Sequence, residues 1–360
     1  MLNPDFWKGK RVFVTGHTGF KGSWLCLWLE HLGADVTGYA LPAPTDPSLF
    51  DMASIAGSMN SIIGDVTDQP KLEAALSAAK PEIVIHMAAQ SLVRYSYQHP
   101  VETFNTNVMG TVNLLDAARR VPSVRAVVIV TSDKCYHNEE WVWGYRENSR
   151  LGGDDPYSAS KGAAELIVHA FQHSFYNPAN QGANVPAVAS GRAGNVIGGG
   201  DWALDRLVPD IIRSLLKDEP TLIRNPQATR PWQHVLEPLH GYLMLAERLY
   251  TDGHEFASSW NFGPPEQSEK TVGWIIAKLY ELWGVTFDWK KDENPGPPEC
   301  TFLKLDAAKA RGYMGWRPKL DLNTTLEWIV QWTRRYQAGE DMRKASLDDI
   351  KRFMQIIPAE

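Results

Sequence analysis

A doubly wound parallel α/β sheet, carrying a smaller C-terminal α/β substrate-binding domain, is the fold this sequence predicts. Three observations predict it. Strand-like and helix-like segments alternate through the first half. A Gly-rich turn follows the first strand directly. Two later segments, Glu82–Ala88 and Ala126–Thr131, are near-continuous apolar runs, as in strands buried on both faces of a parallel sheet.

The elements follow in order. Arg11–Thr15 is a short β-rich run, and Trp24–Leu32 an apolar helical stretch. Asp35–Tyr39 is the second strand, and a third precedes Gly64-Asp65-Val66. Val101–Arg120 reads as a helix whose closing arginines suit the negative end of its dipole. After the strand Ala187–Arg192 comes a glycine cluster, Gly198–Gly200. Helical stretches then follow at Val208–Lys217, Leu236–Tyr250, Thr271–Trp283 and Asn323–Trp332. The last twenty residues are charged and read as peripheral.

The chain has 360 residues, enough for about two domains or one large α/β unit with an insertion. Hydrophobic residues are 44% and charged residues 22%, which fits a soluble globular protein. The apolar stretches fall well short of the ~20 residues a membrane span needs. The opening residues contain no apolar signal core. A net charge of −6 with no basic block makes nucleic acid a poor partner. Cys26, Cys135 and Cys300 are too widely spaced for a disulfide framework or a zinc site. No metal is expected, and a reducing cytoplasm fits best.

Gly16, Gly19 and Gly22 lie between a strand and a helix. That context points to dinucleotide binding: the backbone can approach a diphosphate, and the helix N-terminus supplies N–H groups. Residues 1–190 are therefore read as the dinucleotide-binding domain and 191–345 mainly as a substrate-binding cap. A segment around 225–260 is read as returning to the first domain, and 346–360 as a tail. The acidic residue expected after the second strand is missing from Tyr39-Ala40-Leu41-Pro42. Asp65 is placed to meet the adenine, or to act only as a turn or capping residue. Lys21 or His17 could favour a 2′-phosphate, which leaves NAD against NADP open.

Tyr157 and Lys161 are four apart after Asp154-Asp155-Pro156, a helix start that puts both side chains on one face. A lysine beside a phenol stabilises the phenolate and makes a general base. Alone, the pair reads as a surface feature; downstream of the glycine turn it gains weight. Ser132, Asp133 and Lys134 follow the apolar run at 126–131, where the strand ends of such a sheet line the ligand crevice.

Together these residues resemble the extended short-chain dehydrogenase/reductase family. The likeness runs through the glycine turn, His86-Met87-Ala88-Ala89-Gln90, Asn107-Val108-Met109-Gly110-Thr111, Tyr157/Lys161 and Trp260-Asn261-Phe262-Gly263. Within that family the chain is most similar to sugar-nucleotide 4,6-dehydratases of the branch acting on CDP-glucose, through GHTGFKGSWL, TSDKCY, EWVWGYRE, RAGNVIGGGDW and RPWQHVLEPL.

The resemblance implies a Rossmann fold. It implies NAD, tightly bound and regenerated at each turnover, contacted by Gly16, His17, Thr18, Gly19, Phe20, Gly22, Asp65, Val66, Ala88, Ala89, Gln90, Asn107, Tyr157 and Lys161. It implies that Ser132 meets the sugar 4-hydroxyl. Lys134 stands where the family usually carries glutamate, and the cytidine branch shares this departure. Asp133 is the choice for the acid at C6 and Lys134 for the base at C5. Asn195, Arg206, Arg230 and Asn261 match positions that hold the diphosphate and nucleoside, and Arg94 could face the sugar; turn and surface roles stand beside these. His234 reads as a residue without a role, and Trp141, Trp143 and Tyr145 as packing. The resemblance also implies a homo-oligomer, a dimer or tetramer, making a 4-keto-6-deoxy sugar for surface polysaccharide such as O-antigen. A C4-epimerase, a GDP-mannose or dTDP-glucose dehydratase, and a non-enzymatic dinucleotide sensor are the alternatives.

Overall fold

A computed structural model describes residues 2–181, 185–286, 289–292 and 302–357. Its centre is a sheet of seven strands: β1 (Arg11–Thr15), β2 (Asp35–Ala40), β3 (Asn60–Ile63), β4 (Ile83–His86), β5 (Ala126–Val130), β6 (Ala187–Arg192) and β7 (Ser259–Asn261). The spatial order is β7-β6-β5-β4-β1-β2-β3, and every pairing is parallel. The order reverses between β1 and β4, so the carboxyl ends of these strands open a crevice there.

Successive residues along the strands enter opposite cores. Val12, Val14, Ile83, Ile85 and Val128 belong to one; Phe13, Val84, Val127 and Ile129 belong to the other. Helices Phe20–His31 and Leu236–Thr251 back the first. Helices Gln69–Ala79, Gly110–Ala118 and Pro156–Ser174 back the second. Because both faces are covered, the strands are apolar throughout rather than alternating. The helix read over 101–120 is a helical run from Pro100 to Ala118 with a π turn at Asn105–Met109.

After β6 the chain builds three two-stranded ribbons: Val196–Ile197 with Gln233–His234, Thr229–Pro231 with Glu269–Thr271, and Thr221–Ile223 with Trp289–Lys291. Helices Leu207–Lys217 and Val272–Trp283 accompany them. Between these, helix Leu236–Thr251 packs against β5 and β6, and β7 extends the large sheet beside β6.

The peripheral tail is corrected. Residues Met342–Gln355 form a helix that packs on helix Phe20–His31, with the Phe353 ring edge-on to Trp28 at 5.5 Å. Met342, Ala345, Ile350 and Phe353 are buried and recur at helical spacing, an apolar stripe that the surrounding charges mask in the sequence. Arg343 adds an ion pair with Glu30. Among the described residues no helix is long and apolar enough to cross a membrane. Cys26 and Cys135 are buried free thiols, and Cys300 lies outside the described residues.

Candidate active site

The glycine turn occupies the reversal point of the sheet. Gly16 adopts φ +76°, and a Cβ there would lie 2.7 Å from the Ala88 nitrogen. A Cβ on Gly22 would collide with the Gly16 carbonyl. Gly19 differs, since a Cβ there would meet only the Gly16 oxygen, at 3.5 Å. Gly16 and Gly22 let the turn pack on itself, while Gly19 leaves room above the turn. Gly19 is also the N-cap of helix Phe20–His31, and no side chain caps that end. Open first-turn N–H groups beside an unfilled glycine fit the diphosphate of a dinucleotide.

Two other residues expected to hold the cofactor also fasten the turn. His17 is buried, its Nε2 lies 2.7 Å from Ser61 Oγ, and burial pushes it down to about 4, so the ring is neutral. Thr18 Oγ1 donates to the Leu41 carbonyl at 2.8 Å. His17 therefore cannot supply charge to a 2′-phosphate. The cleft after β2, about 550 Å³, is lined by Pro42, Pro44, Thr45, Asp46, Asp51 and Ile63 among others, with no lysine or arginine. Two carboxylates there suit a ribose hydroxyl and oppose a phosphate.

Asp65 is half-buried and caps its own turn, accepting from the Thr67 N–H at 2.8 Å, and it borders a second cleft of about 500 Å³. Val66 is buried and would be struck by a Cβ on Gly110. Ala88 donates its N–H to Thr15 Oγ1 at 3.1 Å, and Ala89 is half-buried next to it. Asn107, on the π turn, accepts from the Gln90 N–H at 2.9 Å and donates to Ser160 Oγ at 2.8 Å. Its side chain thereby clamps the loop after β4 to the helix that bears Tyr157. The Gln90 amide is held by Leu92 and Thr103.

Helix Pro156–Ser174 starts where its sequence dictates. Asp155 caps it by accepting from the Ser158 N–H at 2.9 Å, and Pro156 fills the first helical position. Tyr157 and Lys161 are therefore both directed to the end of β5, and both are buried. The Ser132 hydroxyl donates to Asp133 Oδ1 at 3.0 Å and neighbours the Tyr157 phenol, whose pKa it pulls down. Asn195, at φ +48°, donates to Asp133 Oδ2 at 3.5 Å. Lys134 is half-buried, on the single turn Asp133–Cys135 that Ser132 caps.

Electrostatics corrects one expectation. Burial pushes Tyr157 up to about 12, against the Ser132 hydrogen bond, which pulls the other way. Burial also lowers Lys161 to about 8, while Glu165 raises it. In the protein alone the phenol thus keeps its proton, because desolvation outweighs the lowering by Ser132 and Arg206.

The cap residues divide. Arg206 reaches Asp201 at 3.1 Å and Ser91 Oγ at 2.7 Å, and Arg94 approaches Asp205 at 3.5 Å, so both span the mouth between cap and sheet. Arg230 is buried in strand Thr229–Pro231 and donates to the Thr229 carbonyl.

Asn261 is corrected. It is fully buried, accepts from the Tyr136 hydroxyl at 2.7 Å, and donates to the Tyr145 and Asp306 carbonyls at 2.8 and 3.1 Å. No hydrogen-bonding capacity is left on its amide nitrogen for a ligand. His234 packs between Trp24 and Trp328, and burial lowers it to about 3. Trp141 and Trp143 are exposed rather than in the core; Trp141 stacks on Tyr145, which stacks on Tyr136.

A second cluster escaped the sequence reading. Glu165, one turn beyond Lys161, accepts from Ser190 Oγ at 2.8 Å and Arg192 Nη2 at 2.6 Å, and is also bonded to Thr131 and Ser259. Arg192 continues to the Tyr136 hydroxyl at 2.6 Å, and so to Asn261. The available signal was the repeat of spacing: Tyr157, Lys161 and Glu165 fall at i, i+4 and i+8. Among the described residues no group of three or more His, Cys, Asp or Glu side chains is arranged to hold a metal ion.

A parallel sheet with a glycine turn at its reversal point, and a Ser-Tyr-Lys set beside it, defines a dinucleotide-dependent enzyme of the extended short-chain dehydrogenase/reductase type. Residues 13–329 match the GDP-mannose 4,6 dehydratase family, and the chain belongs to that family. It is 55% identical over 354 residues to the CDP-glucose 4,6-dehydratase of Salmonella typhimurium, covering 98% of this chain and 99% of the relative. MoeE5 in complex with UDP-glucose and NAD is similar in structure, with a TM-score of 0.74 and 26% identity over 91% of this chain and all of that one. DesIV, the dTDP-glucose 4,6-dehydratase of Streptomyces venezuelae, has a TM-score of 0.77 at 22% identity over 92% of this chain and 99% of that one, a likeness of fold.

Proposed function

We propose that the protein is a nucleotide-sugar 4,6-dehydratase that converts CDP-glucose to CDP-4-keto-6-deoxyglucose, with NAD as a resident cofactor. The observation that carries this is the group at the end of β5: the Ser132 hydroxyl bonded to Asp133 and neighbouring the Tyr157 phenol, with Lys161 one turn along the helix. The likeness to the Salmonella relative supports the nucleotide.

A bound nicotinamide supplies a hydride acceptor for C4 of the sugar and a donor for C6. Tyr157, assisted by Ser132, takes the proton of the 4-hydroxyl as C4 is oxidised. The cation of Lys161 stabilises the phenolate that burial alone disfavours. The 4-ketone acidifies the C5 hydrogen, and Lys134 removes that proton. Asp133 protonates the C6 hydroxyl, which leaves as water. Lys134 then returns a proton to C5 as C6 is reduced. Asn195 steadies Asp133, and Arg206, Arg94 and Arg230 are the cations available to the substrate. The acidic ground after β2 favours NAD over NADP. The exposed apolar side chains of Val101, Phe104, Met109 and Leu166 support a homo-oligomer that pairs the helices over 100–118 and 156–174. The product suits deoxysugar units of surface polysaccharide.

The test is turnover. Purified protein with NAD is mixed in turn with CDP-, UDP-, GDP- and dTDP-sugars, and the 4-keto chromophore that alkali develops is followed. CDP-glucose should give it fastest. A faster signal from another nucleotide would overturn the base assignment, and epimer without chromophore would overturn the dehydration.

A further inference from the structure

Lys21 is not used by the chemistry above. It lies on the first turn of helix Phe20–His31, between Gly19 and Gly22. Its neighbours on that helix touch the loop over the cleft: Trp24 Nε1 donates to the Gly199 carbonyl at 2.9 Å, and a Cβ on Gly198 would lie 3.1 Å from the Phe20 ring. Lys21 and Trp24 are three residues apart and share a face. The Lys21 ammonium therefore faces inward, where its electrostatic neighbours are Lys161, Arg206, Asp133 and Asp201. It does not face the ribose ground after β2, so it is no receptor for a 2′-phosphate.

The nearby carboxylates are engaged elsewhere. Asp201 pairs with Arg206, and Asp133 accepts from Ser132 and Asn195. Among the described residues no side chain or carbonyl forms a hydrogen bond or ion pair with Lys21. A half-buried ammonium beside two other cations and without a partner is unfavourable unless a ligand brings negative charge. Burial and the two cations hold it down at about 8, the direction expected of a site awaiting an anion.

We propose that Lys21 is a diphosphate-binding cation, closing over the diphosphate that the open first-turn N–H groups at Gly19 receive. This rests on the dinucleotide reading of the turn. Two ligands carry such a group, the cofactor and the nucleotide sugar. The place of Lys21 on the cofactor turn favours the cofactor, and its reach toward Arg206 brings it near the sugar's side. In either case it supplies the charge that His17, neutral and bonded to Ser61, cannot.

Isothermal titration of NAD, ADP-ribose, CDP-glucose and CDP into the wild type, Lys21→Met and Lys21→Arg tests this. Lys21→Met should weaken NAD and ADP-ribose together by about tenfold, the scale of one charge-assisted contact. It should also lower the nucleotide carried through purification, read in an acid extract. Lys21→Arg should restore most of the affinity. If CDP and CDP-glucose weaken instead, the cation serves the sugar's diphosphate and the proposal holds with that source. If every Kd stays within twofold, or if Lys21→Arg is as weak as Lys21→Met, the proposal is overturned. Melting curves of both variants guard against a folding defect, since loss of an unpaired buried charge should leave stability equal or higher. Should the wild type itself bind none of the four ligands, the dinucleotide reading falls first and this inference with it.

Discussion

Two polar clusters occupy one face of helix Pro156–Ser174, a turn apart, and they are built on opposite plans. Around Tyr157 and Lys161 the groups are buried yet incompletely paired, and desolvation moves both away from their ordinary values. Around Glu165 the pairing is dense: its carboxylate meets two hydroxyls at Ser190 and Thr131, a third at Ser259, and the Arg192 guanidinium. Glu165 is held below its ordinary value despite burial, because Arg192 and the hydroxyls stabilise the charge. The first cluster lacks partners that a ligand can supply. The second keeps the helix, β5, β6 and β7 in register so that the first is presented to the crevice.

The sharpest way to break this contrast is to remove the reactive oxygen alone. Tyr157→Phe should lower kcat by about 10³- to 10⁴-fold, the upper range for a general base. It should leave NAD affinity and the unfolding midpoint nearly unchanged, since the ring that fills the buried site is kept and only the oxygen is lost. A variant that kept a tenth of the activity would end the role of Tyr157. One that lost its fold would show that the open cluster is structural after all.

Arg192→Met asks the reverse. The guanidinium and Glu165 are both almost wholly buried and 2.6 Å apart. Removing one partner leaves a carboxylate in the core, which costs about 3–5 kcal/mol. Denaturant unfolding should show that loss. Folded enzyme at low temperature should still bind NAD, because Arg192 touches Tyr136 and Glu147 rather than the glycine turn. An unchanged midpoint would remove the scaffold role of the pair.

How far each cluster is legible in the sequence follows from the same difference. The open cluster is legible because its chemistry constrains residue type at fixed spacing: glycines where a Cβ would strike backbone, a phenol and a lysine on one helical face, a hydroxyl at a strand end. The sheet is legible because both of its faces are buried, which makes the strands uniformly apolar. The closed cluster joins Thr131, Glu165, Ser190 and Asn261, which no local pattern links; only the crossovers of the fold bring them together. Asn261 was misread for that reason, since a buried asparagine at a strand end looks the same whether it faces a ligand or three backbone and tyrosine partners. The final helix was misread because its charged residues outnumber the four apolar ones that dock it.

A third polar group lies between the two plans and gives a test that depends on pH. Glu237, buried on helix Leu236–Thr251, accepts the Lys319 and Leu320 N–H groups at 2.8 and 2.6 Å through Oε1, while Oε2 has no partner among the described residues. Burial pushes it up to about 8 from the ordinary 4.5, outweighing those N–H groups and Lys319. Between those two values the folded protein holds a proton that the unfolded chain has released. Its contribution to stability is therefore complete below pH 4.5 and declines as pH rises through 8. Glu237→Gln keeps an acceptor for both N–H groups and cannot titrate. The variant should unfold near the wild-type midpoint at pH 5 and become the more stable protein by pH 9. Parallel stability profiles for the two proteins over that window would mean that the carboxylate is already ionised in the fold, and that its two backbone partners suffice to close the site.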